Sequence, residues 1–166
     1  MLTRDKLTDD QWRTVRNTPH HVVIAISAAG GSVFDEMLER AAAMSGIVDA
    51  QHSRHPLLQG IATAADIMAA QDQVRRWYHG LNDSERHPAK LQAKALAMFK
   101  DAVVTLEQRG QHDDVRNYCD FVLALATRVA RSAREGDLLG IGGELVSGGE
   151  RAFIALLEAA TPGNSR

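Results

Sequence analysis

The chain has 166 residues, of which 45% are hydrophobic, 24% charged and only 5% aromatic, with a formal net charge of -2. This length suits one domain with a sizeable aliphatic core, and the mixed charges exclude a general electrostatic attraction to nucleic acid. No apolar run approaches the length of a membrane span and no secretion signal is visible, so we predict a cytoplasmic protein. The single cysteine, Cys119, lies in an apolar helical context, which predicts a buried and inert thiol.

The first predicted helix begins after Thr8, because a glutamine three residues later gives the spacing of a capping box. It should end near Asn17, since the proline at position 19 restricts the residue before it. Thr18 would then cap a second helix that has Pro19 at its first position. This second helix contains the apolar stretch HHVVIAISAA and should end at Gly30.

A third helix is predicted from Ser32, as its cap, to Gly46, and the loop QHSRHP follows it. A long fourth helix is predicted from Pro56 to His79, with Gly80 at its end. Helical spacing places six apolar residues on one side of this helix: Leu57, Ile61, Ala64, Ala65, Met68 and Val74.

The fifth predicted helix runs from Pro88 to Arg109, with Gly110 at the expected C-terminal position. The sixth should begin with Asp113 as its cap and end at Gly136. Together these patterns predict an all-α protein in which residues 1–166 form a single compact bundle. The bundle should have about five long and about two short helices, followed by a frayed tail at residues 161–166.

The stretch ELVSGGERAFIALLEA, residues 144–159, contains the Ser-Gly-Gly element of ATP-binding cassette signatures. A nucleotide site of that kind also needs a phosphate loop that ends in Gly-Lys-Ser/Thr, and no Gly-Lys pair occurs in the chain. Ser147 and Glu150 have instead the spacing of a capping box. We therefore interpret the stretch as the beginning of the last helix.

Glycines are concentrated in the loop before this helix and in its first turn. Backbone N–H groups at a helix N-terminus favour anions, so the segment is a candidate ligand loop, although a loop without a ligand explains the same glycines. The candidate residues are Asp137, Gly140, Gly142, Gly143, Glu144, Gly148 and Gly149.

Two segments, 20–46 and 120–160, share the order of an apolar helix, a glycine turn and a second helix. The second helix opens with Val33 and Glu36 in one segment and with Val146 and Glu150 in the other. This pattern resembles TerB-like (tellurite-resistance-associated) helical domains, in which an apolar helix is followed by Ala-Asp-Gly, a variable residue, Val-Ser and a glutamate. The best match is VSGGERAFIALL, and AAGGSVFDEM is the weaker copy.

The resemblance implies an all-helical fold, a stress-associated bacterial context and metal binding by the acidic turn of the family. Ala29 stands where the family has aspartate before Gly30, and Asp137 and Glu144 are the acidic residues of the second loop. The resemblance therefore implies the fold more strongly than it implies a metal site.

The segment QVRRWYHG combines charged and aromatic residues at the end of the fourth predicted helix. Positive charge there favours the helix dipole, but Trp, Tyr and Arg also dominate the energetic hot spots of protein interfaces. The candidate partner surface consists of Arg75, Arg76, Trp77, Tyr78 and His79.

Seven histidines invite a metal hypothesis. His52 and His55 have the spacing of neighbours on a helical turn and are the candidate ligands, although no cysteine or nearby carboxylate completes a set. His20 and His21 are adjacent, so on a helix they point about 100° apart and do not easily share an ion. No cofactor is predicted.

Catalytic patterns are lacking in the sequence, which has no Ser-His-Asp context, no strained nucleophile turn and no Glu-x-x-His pair of a di-iron bundle. We therefore predict a non-catalytic interaction or accessory module that binds a protein partner or itself and does not bind nucleic acid or span a membrane. The resemblance to TerB-like domains implies a stress-associated role for this module. The alternative is a small-ligand or metal-binding helical protein that uses the glycine-rich loop or the histidines.

Overall fold

The computed structural model describes residues 1–30, 42–135 and 147–163, and within these ranges the chain is helical without a β-strand. The prediction of an all-α protein is confirmed. The helices are α1 (Asp9–Gly30), α2 (helical residues 42–49), α3 (Pro56–Ile61), α4 (Ala64–Gly80), α5 (Pro88–Arg109), α6 (His112–Glu135) and α7 (Gly148–Ala159). Two 3₁₀ turns are also present in the described residues: Arg4–Lys6 precedes α1, and Ala50–His52 follows α2. Over the described ranges, every helix is too short or too polar to cross a membrane.

Helix α1 is the element around which the others pack, because it contacts α4, α5, α6 and α7. Its buried apolar residues, which include Trp12, Val15, Val22 and Ile26, lie on one side of the helix. Polar residues on its other sides, such as Arg16, are buried as well. Neighbouring helices therefore cover α1 on all sides along residues 15–23.

The prediction that the first helix ends near Asn17 was wrong, because α1 continues through Pro19. A proline inside a helix has no N–H to donate to the carbonyl four residues earlier, which here is that of Val15. The hydroxyl of Tyr118 on α6 donates to this Val15 oxygen at 2.8 Å. Both residues are fully buried, so the Tyr118 hydroxyl replaces the backbone hydrogen bond that Pro19 removes.

Thr18 does not cap a helix, as the sequence predicted, but lies inside α1. Its hydroxyl donates to the carbonyl of Thr14 at 2.8 Å and lies 3.2 Å from the carbonyl of Met98 on α5. The hydroxyl is thus used within α1 and towards a neighbouring helix. Contacts with α5 and α6 keep α1 helical at Thr18 and Pro19, and these contacts cannot be predicted from the neighbouring residues in the sequence.

The predicted long helix from Pro56 to His79 is interrupted, and this prediction was also wrong. The chain leaves the helical conformation at Thr63, whose backbone is extended and whose hydroxyl accepts a hydrogen bond from the Asp66 N–H at 3.1 Å. Because α4 starts afresh at Ala64, its buried face consists of Ile67, Ala70 and Val74. Of the six apolar residues predicted to share one side, Leu57, Ile61 and Val74 are buried, whereas Ala64, Ala65 and Met68 are exposed.

Both predicted capping boxes form. Thr8 and Gln11 exchange hydrogen bonds of 3.0 and 3.2 Å, and Ser147 and Glu150 do so at 2.7 and 3.2 Å. The stretch with the Ser-Gly-Gly element is therefore the start of α7. Helix α5 has the predicted bounds, and the N–H of Gly110 donates to the Leu106 carbonyl at its end.

Asp113 does not cap α6, because the helix begins one residue earlier. The carboxylate of Asp114 instead accepts hydrogen bonds from the N–H groups of Gln111 and Leu2, each at 2.7 Å. Asp114 thereby covers the start of α6 and attaches the segment before α1 to it. The predicted cap Ser32, the predicted end Gly136 and the parts of the TerB-like turns at residues 31–41 and 136–146 lie outside the described residues.

Cys119 is buried in α6, as the sequence predicted. Burial raises the pKa of its thiol to about 11, so the reactive thiolate is scarce at neutral pH.

We predict that Tyr118→Phe destabilises the fold by about 1–3 kcal/mol, because it leaves the buried Val15 carbonyl without a hydrogen-bond partner. In a Pro19→Ala background the new N–H of residue 19 can donate to the same carbonyl. The cost of Tyr118→Phe should then fall to about 0.5–1.5 kcal/mol. Urea unfolding of the wild type, both single variants and the double variant measures this coupling. An equal cost of Tyr118→Phe in both backgrounds would contradict the account.

Candidate functional site

A cleft of about 400 Å³ opens where α1, α4 and α5 meet. Each helix contributes side chains four residues apart, which lie on the same face of a helix. The lining residues are Arg13, Asn17 and His21 of α1, Gln73 and Trp77 of α4, and Lys94 and Met98 of α5. Its volume lies at the lower end of the range for small-molecule sites.

A hydrogen-bond network fixes the polar groups of the cleft. The buried Arg16 donates to Asp66 at 3.1 Å and to the Gln73 side-chain oxygen at 2.9 Å. The Asn17 amide donates to the same Gln73 oxygen at 2.9 Å, and the Trp12 indole donates to Asp66 at 2.8 Å. Asn17 and Gln73 are therefore held in place before any ligand arrives, and the network joins α1 to α4.

Two buried histidines lie beside the cleft, and one of them lines it. The His21 ring is 4.4 Å from the Trp77 ring, at an interplanar angle of 59°. Among the described residues, neither Nδ1 of His21 nor Nε2 of His20 has a hydrogen-bond partner, although both atoms are buried. A buried polar atom without a partner is uncommon in a folded protein and calls for an explanation.

Both histidines are neutral at neutral pH. Burial, together with the positive charge of Arg16, lowers the pKa of His20 to about 4. Burial, together with smaller effects from Lys94 and His20, lowers the pKa of His21 to about 4. A neutral imidazole can donate one hydrogen bond and accept another, but the unpartnered Nδ1 of His21 is itself covered from solvent.

The charges around the cleft are unevenly matched. Arg13 forms an exposed ion pair with Asp10 at 3.0 Å, and Arg16 forms a more buried one with Asp66 at 3.1 Å. Lys94, by contrast, forms no ion pair with any residue that the structure describes. The cleft therefore carries a cation whose counter-charge is not supplied from these parts of the chain.

The five residues of the predicted partner surface point in different directions, as consecutive residues of a helix must. Arg75, Arg76 and His79 are exposed. Trp77 lines the cleft, while Tyr78 packs against the core beneath the Arg86 guanidinium, which lies 5.3 Å from its ring. These residues do not form one continuous face of α4.

The two predicted metal ligands differ in their exposure to solvent. His52 is exposed, whereas His55 is buried with its Nε2 2.9 Å from an Asp114 oxygen, a close contact without hydrogen-bond geometry. Burial alone would raise the pKa of Asp114, but hydrogen bonds from the Leu2 and Gln111 amides lower it below its ordinary value. Within the described ranges, no three His, Cys, Asp or Glu side chains are grouped as metal ligands would be.

Of the predicted ligand loop, the structure describes Gly148 and Gly149, which are exposed in the first turn of α7. The other candidate residues, Asp137, Gly140, Gly142, Gly143 and Glu144, lie outside the described residues.

Sequence reasoning identified Trp77 but missed the residues that surround it. Arg13, Asn17 and His21 have the four-residue spacing of one helical face, which is a visible signal. The predicted break before Pro19 hid it, because it assigned these residues to two separate helices. Recognition of the cleft also required the packing of α4 and α5 against α1.

No protein-family model matches the chain, and neither a curated protein nor a solved structure was found to match it. The resemblance to TerB-like domains stays a prediction.

We predict that the buried histidines make the fold less stable in mild acid. Between pH 6.5 and about 4 the unfolded chain binds protons at His20 and His21 that the folded chain does not bind. Stability should therefore fall as the pH falls through this window, by about 1.4 kcal/mol per pH unit for each histidine, and its full value is present above the window.

The measurement is urea unfolding across this pH range for the wild type, His21→Gln and His52→Gln. The first variant should have a shallower dependence of stability on pH. The second should keep that of the wild type, because His52 is exposed. If the stability of His21→Gln depended on pH as steeply as that of the wild type, the pKa of His21 would be the same in the folded and unfolded chains, which contradicts the prediction.

Proposed function

We propose that this chain is a small-molecule binding protein and that the cleft between α1, α4 and α5 holds an anionic ligand. The observation that carries the proposal is Lys94, a cation in a formed cleft that no described residue matches with a negative charge. Lys94 is exposed and the cleft is largely open to solvent, and an anionic group at this place would supply the missing counter-charge while the rest of the ligand packs against the wall of the cleft.

The neighbouring groups support the same proposal. Asn17 and Gln73 are prearranged by the network beneath the cleft. Preorganised polar groups reduce the entropy that binding would otherwise cost.

The proposal belongs to the second function class predicted from the sequence, but it moves the site. The ligand is bound by the cleft and not by the glycine-rich loop or by His52 and His55. The first class, an interaction or accessory module, stays a prediction, and its exposed residues are Arg75, Arg76 and His79.

The test uses the chain's two tryptophans as reporters, because their indole N–H groups give two separate proton NMR signals. Trp77 lines the cleft, whereas Trp12 is buried in the network. We expect hexanoate or hexyl phosphate to shift the Trp77 signal more than the Trp12 signal, and hexanol, which has no charge, to leave it unchanged.

Lys94→Met removes the charge and keeps the apolar stem, so it should weaken binding of the anion about tenfold or more. The matched control is Lys100→Met, because Lys100 is an exposed lysine of the same helix that does not line the cleft. The proposal is wrong if neither anion shifts the Trp77 signal, or if Lys94→Met binds the anions as tightly as Lys100→Met does.

A further inference from the structure

The apolar side chains of the cleft limit what else the ligand can contain. His21, Trp77 and Met98 come from three different helices and contribute two aromatic rings and a thioether. Aromatic rings favour offset-stacked or edge-to-face contacts with a further ring, and a thioether sulfur is favourable at the edge of one. The partly buried Trp77 still offers ring surface to the cleft. A flat, unsaturated ligand would use these contacts better than a flexible chain.

The cationic side chains around the cleft indicate how many negative charges the ligand carries. Arg13 is matched by Asp10 and Arg16 by Asp66. His20 and His21 are neutral at neutral pH because burial lowers the pKa of each. Lys94 therefore leaves one unmatched positive charge among the described groups in and beside the cleft. A second negative charge on the ligand would lack a partner unless an arginine left its aspartate.

The backbone around the cleft argues against a phosphate. Phosphate sites commonly use the free N–H groups of the first turn of a helix. All seven lining residues lie beyond the first four residues of their helices, where each N–H is committed to the helix. The cleft offers only side-chain groups, and a planar carboxylate is well served by a lysine and by the amides of Asn17 and Gln73.

We propose that the ligand is a planar aromatic monocarboxylate, whose carboxylate faces Lys94 and whose ring packs against Trp77. This inference rests on the proposed function and adds the class of ligand to it.

Calorimetric titration of the wild-type chain with four matched probes tests the inference. The probes are naphthoate, its fully saturated decalin carboxylate, the uncharged naphthamide and naphthyl phosphate. We expect naphthoate to bind about threefold to tenfold more tightly than the saturated carboxylate, from the aromatic contacts. It should bind about tenfold more tightly than naphthamide, from its charge, and at least as tightly as naphthyl phosphate.

Each result has a separate meaning. Equal affinities for naphthoate and the saturated carboxylate would overturn the aromatic part, and a preference for naphthyl phosphate would overturn the monocarboxylate. Both of these results leave the proposed function intact. Absence of binding by every anion would overturn the proposed function itself, and the inference with it.

A variant pair assigns the ring preference to Trp77. Trp77→Leu should abolish the preference for naphthoate over the saturated carboxylate, because the aromatic ring that produces this preference is then absent. Because Trp77 also packs against the core, Trp77→Phe serves as a milder variant that should keep a reduced preference. An undiminished preference in Trp77→Leu would show that the ring contacts lie elsewhere and overturn this pose.

Discussion

The hydrogen bond from the Tyr118 hydroxyl to the Val15 carbonyl allows α1 to remain one helix across Pro19. Without it, the proline would leave the carbonyl of the fully buried Val15 without its helical hydrogen bond. The donor comes from α6, one of the helices that α1 also contacts through apolar packing. The continuity of α1 is thus a property of the assembled bundle, and the packing of the other helices depends on it in turn.

The cleft depends on the same continuity. Arg13 and Asn17 precede Pro19 and His21 follows it, yet the three side chains line one cleft because the helix keeps its register. The Thr18 hydroxyl, at 3.2 Å from the Met98 carbonyl, brings α5 close at the same level. On the other side, Arg16 binds Asp66 and Gln73 of α4. Of the side chains that join α1 to α4, Asn17 and Gln73 also line the cleft.

Features contained within a few consecutive residues could be predicted from the sequence. The capping boxes at Thr8 and Ser147 and the bounds of α5 depend on local hydrogen bonds and on proline or glycine at the ends of helices. The break at Thr63 carries a similar signal, since an aspartate follows three residues later, but the apolar spacing around it suggested one long helix. The continuation of α1 through Pro19 could not be predicted, because Tyr118, which donates to the Val15 carbonyl, lies 103 residues away from Val15 along the chain. The cleft needs three helices in contact and is beyond any local pattern.

The two buried histidines are a cost to the fold. Each carries a buried nitrogen without a described partner, and each must remain neutral while the unfolded chain is free to protonate. Leucine or phenylalanine at these positions would bury apolar surface without either cost, so stability alone does not account for histidine. Buried polar atoms are most often left without a hydrogen-bond partner where a functional site requires a particular chemical group. His21, which touches Trp77 and lines the cleft, is the residue at which this cost and the proposed binding site coincide.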